Sequence, residues 1–377
     1  KWEKKMDIVK VIAKKAKQDV VLTASWILAV GSAFVIPPDG QYIEYIDWKT
    51  LSLLFCLMAI MGGLQNRGFF TRIGSKFIQY VKGSVSLSAI LIFLCFFSSM
   101  LITNDVALIT FVPFSIIILS MIEKRNYIIP IVTMQTIAAN LGSMMTPIGN
   151  PQNLYLYSKM NIGLLPFMKI MFPFAVVTVV LLIIFLATLK KEKIRHVEVA
   201  IDSQAGGKGK EWMYGILFLL AIGVIAGLLP VVLVLGITVV VIGWFDRKVF
   251  LKVDYALLFT FVGFFLFIGN MKRIPQFSEL LSSVLQGNEV LTAIISSQVI
   301  SNVPSALLLS GFTDQMRELV IGTNLGGLGT LIASMASLIS YKQAVSYCPE
   351  KKNRYLAVFT GWNLIFLAAL WALKLCL

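Results

Sequence analysis

The sequence predicts an all-α polytopic membrane protein, built as an inverted repeat with two re-entrant helical hairpins and two unwound transmembrane helices. Three observations predict it. The 377 residues are 58% hydrophobic and only 14% charged, with a mean hydropathy of +0.83, far from soluble-domain norms. A polar signature occurs twice inside apolar sequence: residues 139–154 align without gaps with residues 323–338. Identities fall at Asn140/Asn324, Leu141/Leu325, Gly142/Gly326, Thr146/Thr330, Ile148/Ile332 and Leu154/Leu338. Finally, two long apolar stretches are each interrupted near the middle by a polar tripeptide, Thr103-Asn104-Asp105 and Ser301-Asn302-Val303. Ile46-Asp47-Trp48 and Val253-Asp254-Tyr255 open apolar runs in the same order, so the gene reads as an old duplication.

In chain order, seven lysines between Lys1 and Lys17 precede the apolar run 20–36, with no small-residue cleavage pattern behind it, as expected of a retained first span. The runs 48–65, 127–145, 164–189, 212–229, 231–245, 254–270, 319–341 and 355–376 bring the expected crossings to nine. The stretches 87–120 and 290–312 differ, because each limb beside the tripeptide has only about ten to sixteen residues, short of the roughly 20 a spanning helix needs. Each is expected to enter and leave by one side. Non-helical backbone at membrane depth is tolerated only where protein or a water-filled cavity covers it, which puts both tips in the interior. Two amphipathic stretches, Gly68–Lys82 and Ile274–Leu285, precede the hairpins. They are expected along the membrane interface, tight loops being the alternative. The first repeat is then 1–189, with hairpin 87–120 and broken helix 127–153. A linker follows at 190–211, containing Gly206-Gly207-Lys208-Gly209, and the second repeat is 212–377, with hairpin 290–312 and broken helix 319–341.

The net charge of +14 would suit a nucleic-acid partner, but the 33 Lys and Arg are spread among short loops, so no nucleic acid is expected. The charge is topological. With the N-terminus in the cytoplasm, most basic residues fall in inner segments: 1–19, 66–83, 124–125, 190–211, 246–252 and 342–354. Were the first hairpin a single crossing, Lys190, Lys191, Lys193, Arg195, Lys208 and Lys210 would lie outside. The first hairpin is therefore expected to open from the cytoplasm and the second from the opposite side. That inverts the halves and leaves the C-terminus outside the cell inner membrane. Cys56, Cys95, Cys348 and Cys376 form no CxxC pair and His196 is the single histidine, so neither a transition-metal nor a thiol-redox centre is expected.

Each hairpin tip carries Asn beside a hydroxyl: Thr103-Asn104-Asp105, and Ser301-Asn302-Val303-Pro304-Ser305. A tip leaves the C-terminal end of one half-helix and the N-terminal end of the next facing one cavity, offering carbonyls to a cation and N–H groups to an anion. The alternative is that these residues only cap the half-helices. Thr146-Pro147-Ile148-Gly149-Asn150-Pro151-Gln152-Asn153 cannot continue a helix, since two prolines and a glycine remove or misplace its hydrogen bonds. Its freed carbonyls, with Asn150, Gln152 and Asn153, could hold Na⁺ or contact an anion. The counterpart 330–338, with Thr330, Ser334 and Ser337, has no proline, so a milder break is expected there; Gly326, Gly327 and Gly329 could alternatively serve close helix packing. Asp105 is the only acidic residue placed deep in an apolar hairpin, which makes it a candidate for proton transfer or cation binding, or else a helix cap. Arg67 is expected as a headgroup anchor, as are Lys272 and Arg273 on the other side, where they could also attract an anion. An enzyme would need a nucleophile with a base, or a metal cluster, within reach of one another. The sequence offers neither, and no resident cofactor is expected beyond Na⁺.

The segments Thr103-Asn104-Asp105-Val106-Ala107-Leu108, Thr146 to Leu154 and Ser301-Asn302-Val303-Pro304 together resemble the ion transporter superfamily. That group includes the divalent-anion:Na⁺ symporters, the citrate-transporter-like permeases and the ArsB-type permeases. The short bacterial inner-membrane anion-permease-like proteins carry the same strings, and the resemblance runs from about residue 20 to 376. It implies a scaffold and a mobile transport domain, an elevator-type carrier in a homodimer among membrane lipids. It also implies two cation sites, one of Thr103, Asn104 and Gly149 and one of Ser301, Asn302 and Ala333. The dicarboxylate branch has Ser-Asn-Thr at both tips, and its loss here argues against dicarboxylates. Half one has two spans before its hairpin where half two has three. The expected function is cation-coupled (Na⁺ or H⁺) secondary active transport of a small inorganic or carboxylate anion by alternating access, with Asp105 supplying the coupling. Two other readings stay open: an arsenite or antimonite exporter with proton exchange, and a Na⁺/H⁺ antiporter using Asp105 and Asn302.

Overall fold

The computed structural model describes residues 20–78, 81, 83–193 and 211–377, so the basic N-terminal stretch and most of the linker, His196 included, lie outside the described residues. The described chain is mostly helical, and its one β-type pairing among the described residues is an isolated bridge, Gly83 to Lys193. The first half contributes α1 (Val20–Ala33), α2 (Trp48–Asn66), α3 (Phe69–Ile78), α4 (Ser84–Ser98), α5 (Asn104–Met121), α6 (Ile128–Ser143), α7 (Pro151–Met160) and α8 (Leu164–Ala187). The second contributes α9 (Glu211–Ile225), α10 (Val231–Phe245), α11 (Tyr255–Lys272), α12 (Pro275–Leu285), α13 (Glu289–Ile300), α14 (Asn302–Leu309), α15 (Met316–Gly326), α16 (Met335–Tyr347) and α17 (Lys352–Cys376). By length and composition α2, α5, α8, α11 and α17 can each cross a membrane, and α1, α4, α9, α10 and α13 are shorter apolar helices. The chain is a multi-pass membrane protein.

Local chemistry sets the boundaries. Asp47 and Asp254 are N-caps, their carboxylates accepting from Thr50 N (3.0 Å) and Leu257 N (3.1 Å), which explains why an aspartate opens α2 and α11 alike. Both amphipathic stretches are helices, α3 and α12, rather than loops. Three expectations need correcting. The limbs are less uniform than ten to sixteen residues: α5 has 18, a rise of about 27 Å, while α14 has 8. The interrupted helices run further, α6 plus α7 ending at Met160 and α15 plus α16 spanning Met316–Tyr347. Arg67 is not a headgroup anchor. Its guanidinium is bound to Asp246 at 2.9 Å and lies 5.7 Å from the Tyr214 ring centre, because the end of α2 packs into the angle between α9 and α10.

The centre is α6, where every residue but Pro130 is buried despite Thr133, Gln135, Thr136 and Asn140. Gln135 donates to the Leu91 carbonyl (3.0 Å) and the Ser115 hydroxyl (2.7 Å), tying α4 and α5 to α6 with one side chain. Within a bilayer apolar contact gives helices no preference for one another over lipid, so close backbone approach and interhelical hydrogen bonds carry the packing. Aligned glycines allow that approach twice. A Cβ on Gly142 would lie 2.1 Å from the Phe96 carbonyl of α4, and one on Gly326 would lie 2.6 Å from the Ser297 hydroxyl of α13.

Candidate functional site

Two helices stop in the middle of the protein. Between α6 and α7 the chain leaves the helix over 144–150, and between α15 and α16 over 327–334. The second break is no milder than the first, although it lacks proline. Gly329 sits at φ +109°, where a Cβ would meet Gln298 at 2.4 Å, and Gln298 satisfies the opened turn by donating to the Gly326 and Leu328 carbonyls (2.9 Å each). Its carbonyl side chain accepts from Thr330 N at 2.9 Å.

Each break is tied to a hairpin tip by the same bond. Asn104 N donates to the Gly149 carbonyl at 3.0 Å, and Asn302 N donates to the Ala333 carbonyl at 3.0 Å. The aligned threonines repeat the match: Thr146 Oγ1 accepts from Gly149 N, and Thr330 Oγ1 from Ala333 N, both at 3.2 Å. Each threonine also donates back to the neighbouring limb, Thr146 to the Met100 carbonyl (2.5 Å) and Thr330 to the Gln298 carbonyl (3.3 Å). Gly149 has no room for a side chain, since a Cβ would lie 2.1 Å from the Ser143 carbonyl.

Across the centre the two broken helices exchange side-chain bonds. Asn140 Oδ1 accepts from Asn104 Nδ2 (3.0 Å) and Ser334 Oγ (3.1 Å), while its amide nitrogen reaches Ser337 Oγ and the Gly327 carbonyl, both at 3.4 Å. Asn324 answers from the other half, donating to Asn153 Oδ1 (2.7 Å) and accepting from Asn150 Nδ2 (3.2 Å). Asn150 also caps α7 through Asn153 N (3.0 Å), and Asn153 Nδ2 holds the Met144 carbonyl at 3.2 Å. Thus Asn104, Asn150, Asn153, Ser334 and Ser337 meet in one buried cluster, with Thr146, Gly149, Thr330, Ala333, Ser301 and Asn302 joined to it through backbone. Asn140, Asn324 and Gln298 were missed as site residues, although the first two are the matched asparagines of the doubled motif.

Other expected residues fall around this cluster. Gln152 is 1% exposed and its side-chain carbonyl has no partner among the described residues, a buried acceptor held open beside Asn153. Pro147 is buried in the first break. Val303 and Pro304 line a small cavity with Ser301 and Asp254, whereas Ser305 turns to Ser296 in the other limb of its own hairpin, away from the cluster. Asp105 is half-buried. Its carboxylate makes no hydrogen bond or ion pair among the described residues, and Asp254 lies within electrostatic reach of it. Asp105 does not cap the helix: Thr103 holds the N-cap position and no backbone amide among the described residues donates to the Asp105 carboxylate. Ser301 is a non-glycine residue at φ +73°, a strained conformation at the second tip. Carbonyls and hydroxyls at each tip fit an alkali cation better than a transition metal, and no group of three His, Cys, Asp or Glu side chains converges among the described residues.

Known proteins share this sequence over most of its length. The chain is 35% identical over 312 residues to "Uncharacterized transporter MJ0456" of Methanocaldococcus jannaschii, covering 80% of this chain and 82% of that one. It is 30% identical over 331 residues to "Inner membrane protein YbiR" of Escherichia coli, covering 84% and 86%. A shorter match, 33% over 135 residues, is to "Silicon efflux transporter LSI3" of Oryza sativa, covering 36% of this chain and 27% of that protein. The family profile described as "CitMHS: Citrate transporter" matches residues 8–339. This chain, with its two interrupted helices bound to two hairpin tips, belongs to the citrate transporter family of membrane transporters.

Proposed function

We propose that the protein is a cation-coupled secondary active transporter that moves a small inorganic or carboxylate anion across the cytoplasmic membrane by alternating access. The observation that carries the reading is the duplicated bond of tip amide to break carbonyl, Asn104 to Gly149 and Asn302 to Ala333. Breaks of this kind at corresponding places in two membrane halves expose backbone groups and helix ends that can hold ions. On this reading residues 1–189 and 212–377 are inverted repeats, the hairpins are re-entrant from opposite sides, the N-terminus is cytoplasmic and the C-terminus outside. Thr103, Asn104 and the Gly149 carbonyl form one cation site, and Ser301, Asn302 and the Ala333 carbonyl the other. Gln152, Asn150 and Asn153 face the anion, and Asp105 couples its movement to Na⁺ or H⁺. The elevator motion of one bundle against the other, and a homodimer to anchor it, complete the proposal.

The unpartnered carboxylate of Asp105 favours a second reading, export of a neutral hydroxide such as arsenite or antimonite in exchange for protons. The match to a silicon efflux transporter is compatible with it. Thermal stabilisation of the purified protein separates the readings, because a ligand that binds only the folded state raises its apparent stability by mass action. The carrier reading expects stabilisation by an anion that requires Na⁺ or low pH. Stabilisation by arsenite alone, with no response to any anion, would favour the exporter, and no response to any solute would refute both.

A further inference from the structure

A second polar hollow lies away from the central cluster, where α7, α11 and α14 end. It encloses about 410 Å³ and is lined by Lys159, Lys272, Ser278, Ser282, Ser310 and Thr313, with Asp314 as its one carboxylate. Two lysines and one carboxylate line it, and the carboxylate of Asp47 also lies within electrostatic reach of Lys159. The Lys272 stem rests on Gly311, its Cε 3.4 Å from where a Cβ would stand, which directs the head across the loop after α14. Lys159 Nζ lies 5.4 Å from the centre of the Tyr155 ring, and the charges of Lys159 and Lys272 reach each other. Neither lysine forms an ion pair among the described residues, whereas the adjacent Arg273 is bound to Asp39 (2.6 Å) and Tyr45 (3.1 Å). The N-terminus of α15 opens on the same hollow at Met316, and its N-cap, Gln315, supplies no side-chain bond to the first-turn amides. Repelling cations and a positive helix pole around a polar cavity call for an anion between them.

The floor gives the hollow its relation to the rest of the protein. The Ser310 hydroxyl lies 2.8 Å from the Tyr155 hydroxyl, and Tyr155 stands one turn along α7 from Gln152. We propose that this hollow is a second anion site, a vestibule in which Lys159 and Lys272 together capture a small oxyanion of the phosphate or carboxylate type above a Tyr155–Ser310 gate. A lipid headgroup phosphate presents the same chemistry as a free oxyanion, so the two sources must be told apart. The site goes beyond the central reading and can be tested without transport.

The test uses the intact protein in nanodiscs of phosphatidylcholine, acetylated by a water-soluble amine reagent and read residue by residue by mass spectrometry. Inorganic phosphate is compared with chloride at equal ionic strength. At a phosphate concentration about ten times the dissociation constant the free fraction falls to about a tenth, so acetylation of Lys159 and Lys272 slows roughly tenfold. Exposed Lys169 and Lys248 keep their rates. In K159Q the protection of Lys272 is lost, and in K272Q that of Lys159. Equal slowing by chloride, or protection that survives in the single variants, would overturn the shared site. In nanodiscs containing phosphatidylglycerol but no phosphate the lysines stay reactive; protection there would identify a headgroup as the occupant and overturn solute capture. Asn302→Ala leaves the protection intact, so a failed central site and a failed vestibule give different results.

Discussion

Ser301→Gly should make this protein more stable while making it a worse transporter. Ser301 sits at φ +73° and ψ 156°, a region that side chains avoid and glycine enters freely, and holding a non-glycine residue there costs about 1–3 kcal/mol. Glycine loses about 0.5–1 kcal/mol more backbone entropy on folding. The hydroxyl that would be removed bonds only at 3.4 Å to the Ala333 carbonyl and 3.5 Å to Asn302 Oδ1, so its stabilising contribution is at the weak end of about 0.5–1.5 kcal/mol. Strain relief wins over Ser301→Ala, which loses the same hydroxyl but keeps the Cβ. The Gly variant should exceed the Ala variant by about 0.5–2 kcal/mol, the reverse of their order in an ordinary helix. Unfolding in mixed micelles with increasing SDS measures the difference directly. If Ala is the more stable of the two, the left-handed tip is not strained and the argument fails. Both variants lose the hydroxyl proposed for the second cation site, so both should weaken cation-dependent uptake, and a Gly variant with wild-type cation dependence would remove Ser301 from it.

Three further outcomes follow from the same geometry. Asn140→Ala orphans the donors of Asn104 and Ser334, and buried membrane hydrogen bonds average about 0.6 kcal/mol with a maximum near 1.7, so a loss of about 1–3 kcal/mol is expected. A double-mutant cycle with Asn104→Ala should show coupling, and additivity within about 0.3–0.5 kcal/mol would deny the bond. Gly149→Ala forces a Cβ to 2.1 Å from the Ser143 carbonyl and should cost about 1–3 kcal/mol or more, whereas Ala333→Gly at the aligned position should cost no more than about 1 kcal/mol, both read by thermal unfolding. Asp105→Asn should fold normally, because no described residue depends on that carboxylate, yet lose coupled uptake in proteoliposomes; uptake with unchanged proton and Na⁺ dependence would take Asp105 out of the mechanism.

The two tips and both breaks were legible because they depend on local rules. Polar tripeptides stop apolar helices, and Pro147, Gly149 and Pro151 cannot continue one. The depth of the second break was not legible. It is opened by Gly329 at positive φ and held by Gln298, and glycine in a small-residue stretch reads equally as a packing surface. Gly326 does in fact serve packing, as the last residue of its helix. The pairing of Arg67 with Asp246 joins residues 179 apart, and no periodicity within α2 announces it. Asn140 and Asn324 had a usable signal, their identity in the doubled motif, but they stand inside regular helices, and attention to breaks and tips passes over residues whose partners lie across the molecule.

Every side chain that joins the halves at the centre is neutral: Asn140, Asn150, Asn153, Asn324, Ser334 and Ser337. A charge at that depth would be costly and would favour one sign of solute, whereas an amide offers both a donor and an acceptor and can turn either to a guest. The charges flank this cluster, Asp105 next to Asn104 on one side and the lysines on the other, and α11 runs between them. Asp254 begins that helix within reach of Asp105, and Lys272 ends it beside Lys159, about 27 Å away for 18 residues. An anion approaching the lysine end meets attraction, and one near the aspartate end meets repulsion unless a cation or proton is already present. In the proposed carrier that asymmetry is the coupling. Occupancy of the acidic side by a cation lowers the barrier to the anion there, while the neutral cluster between the two ends holds either without trapping it.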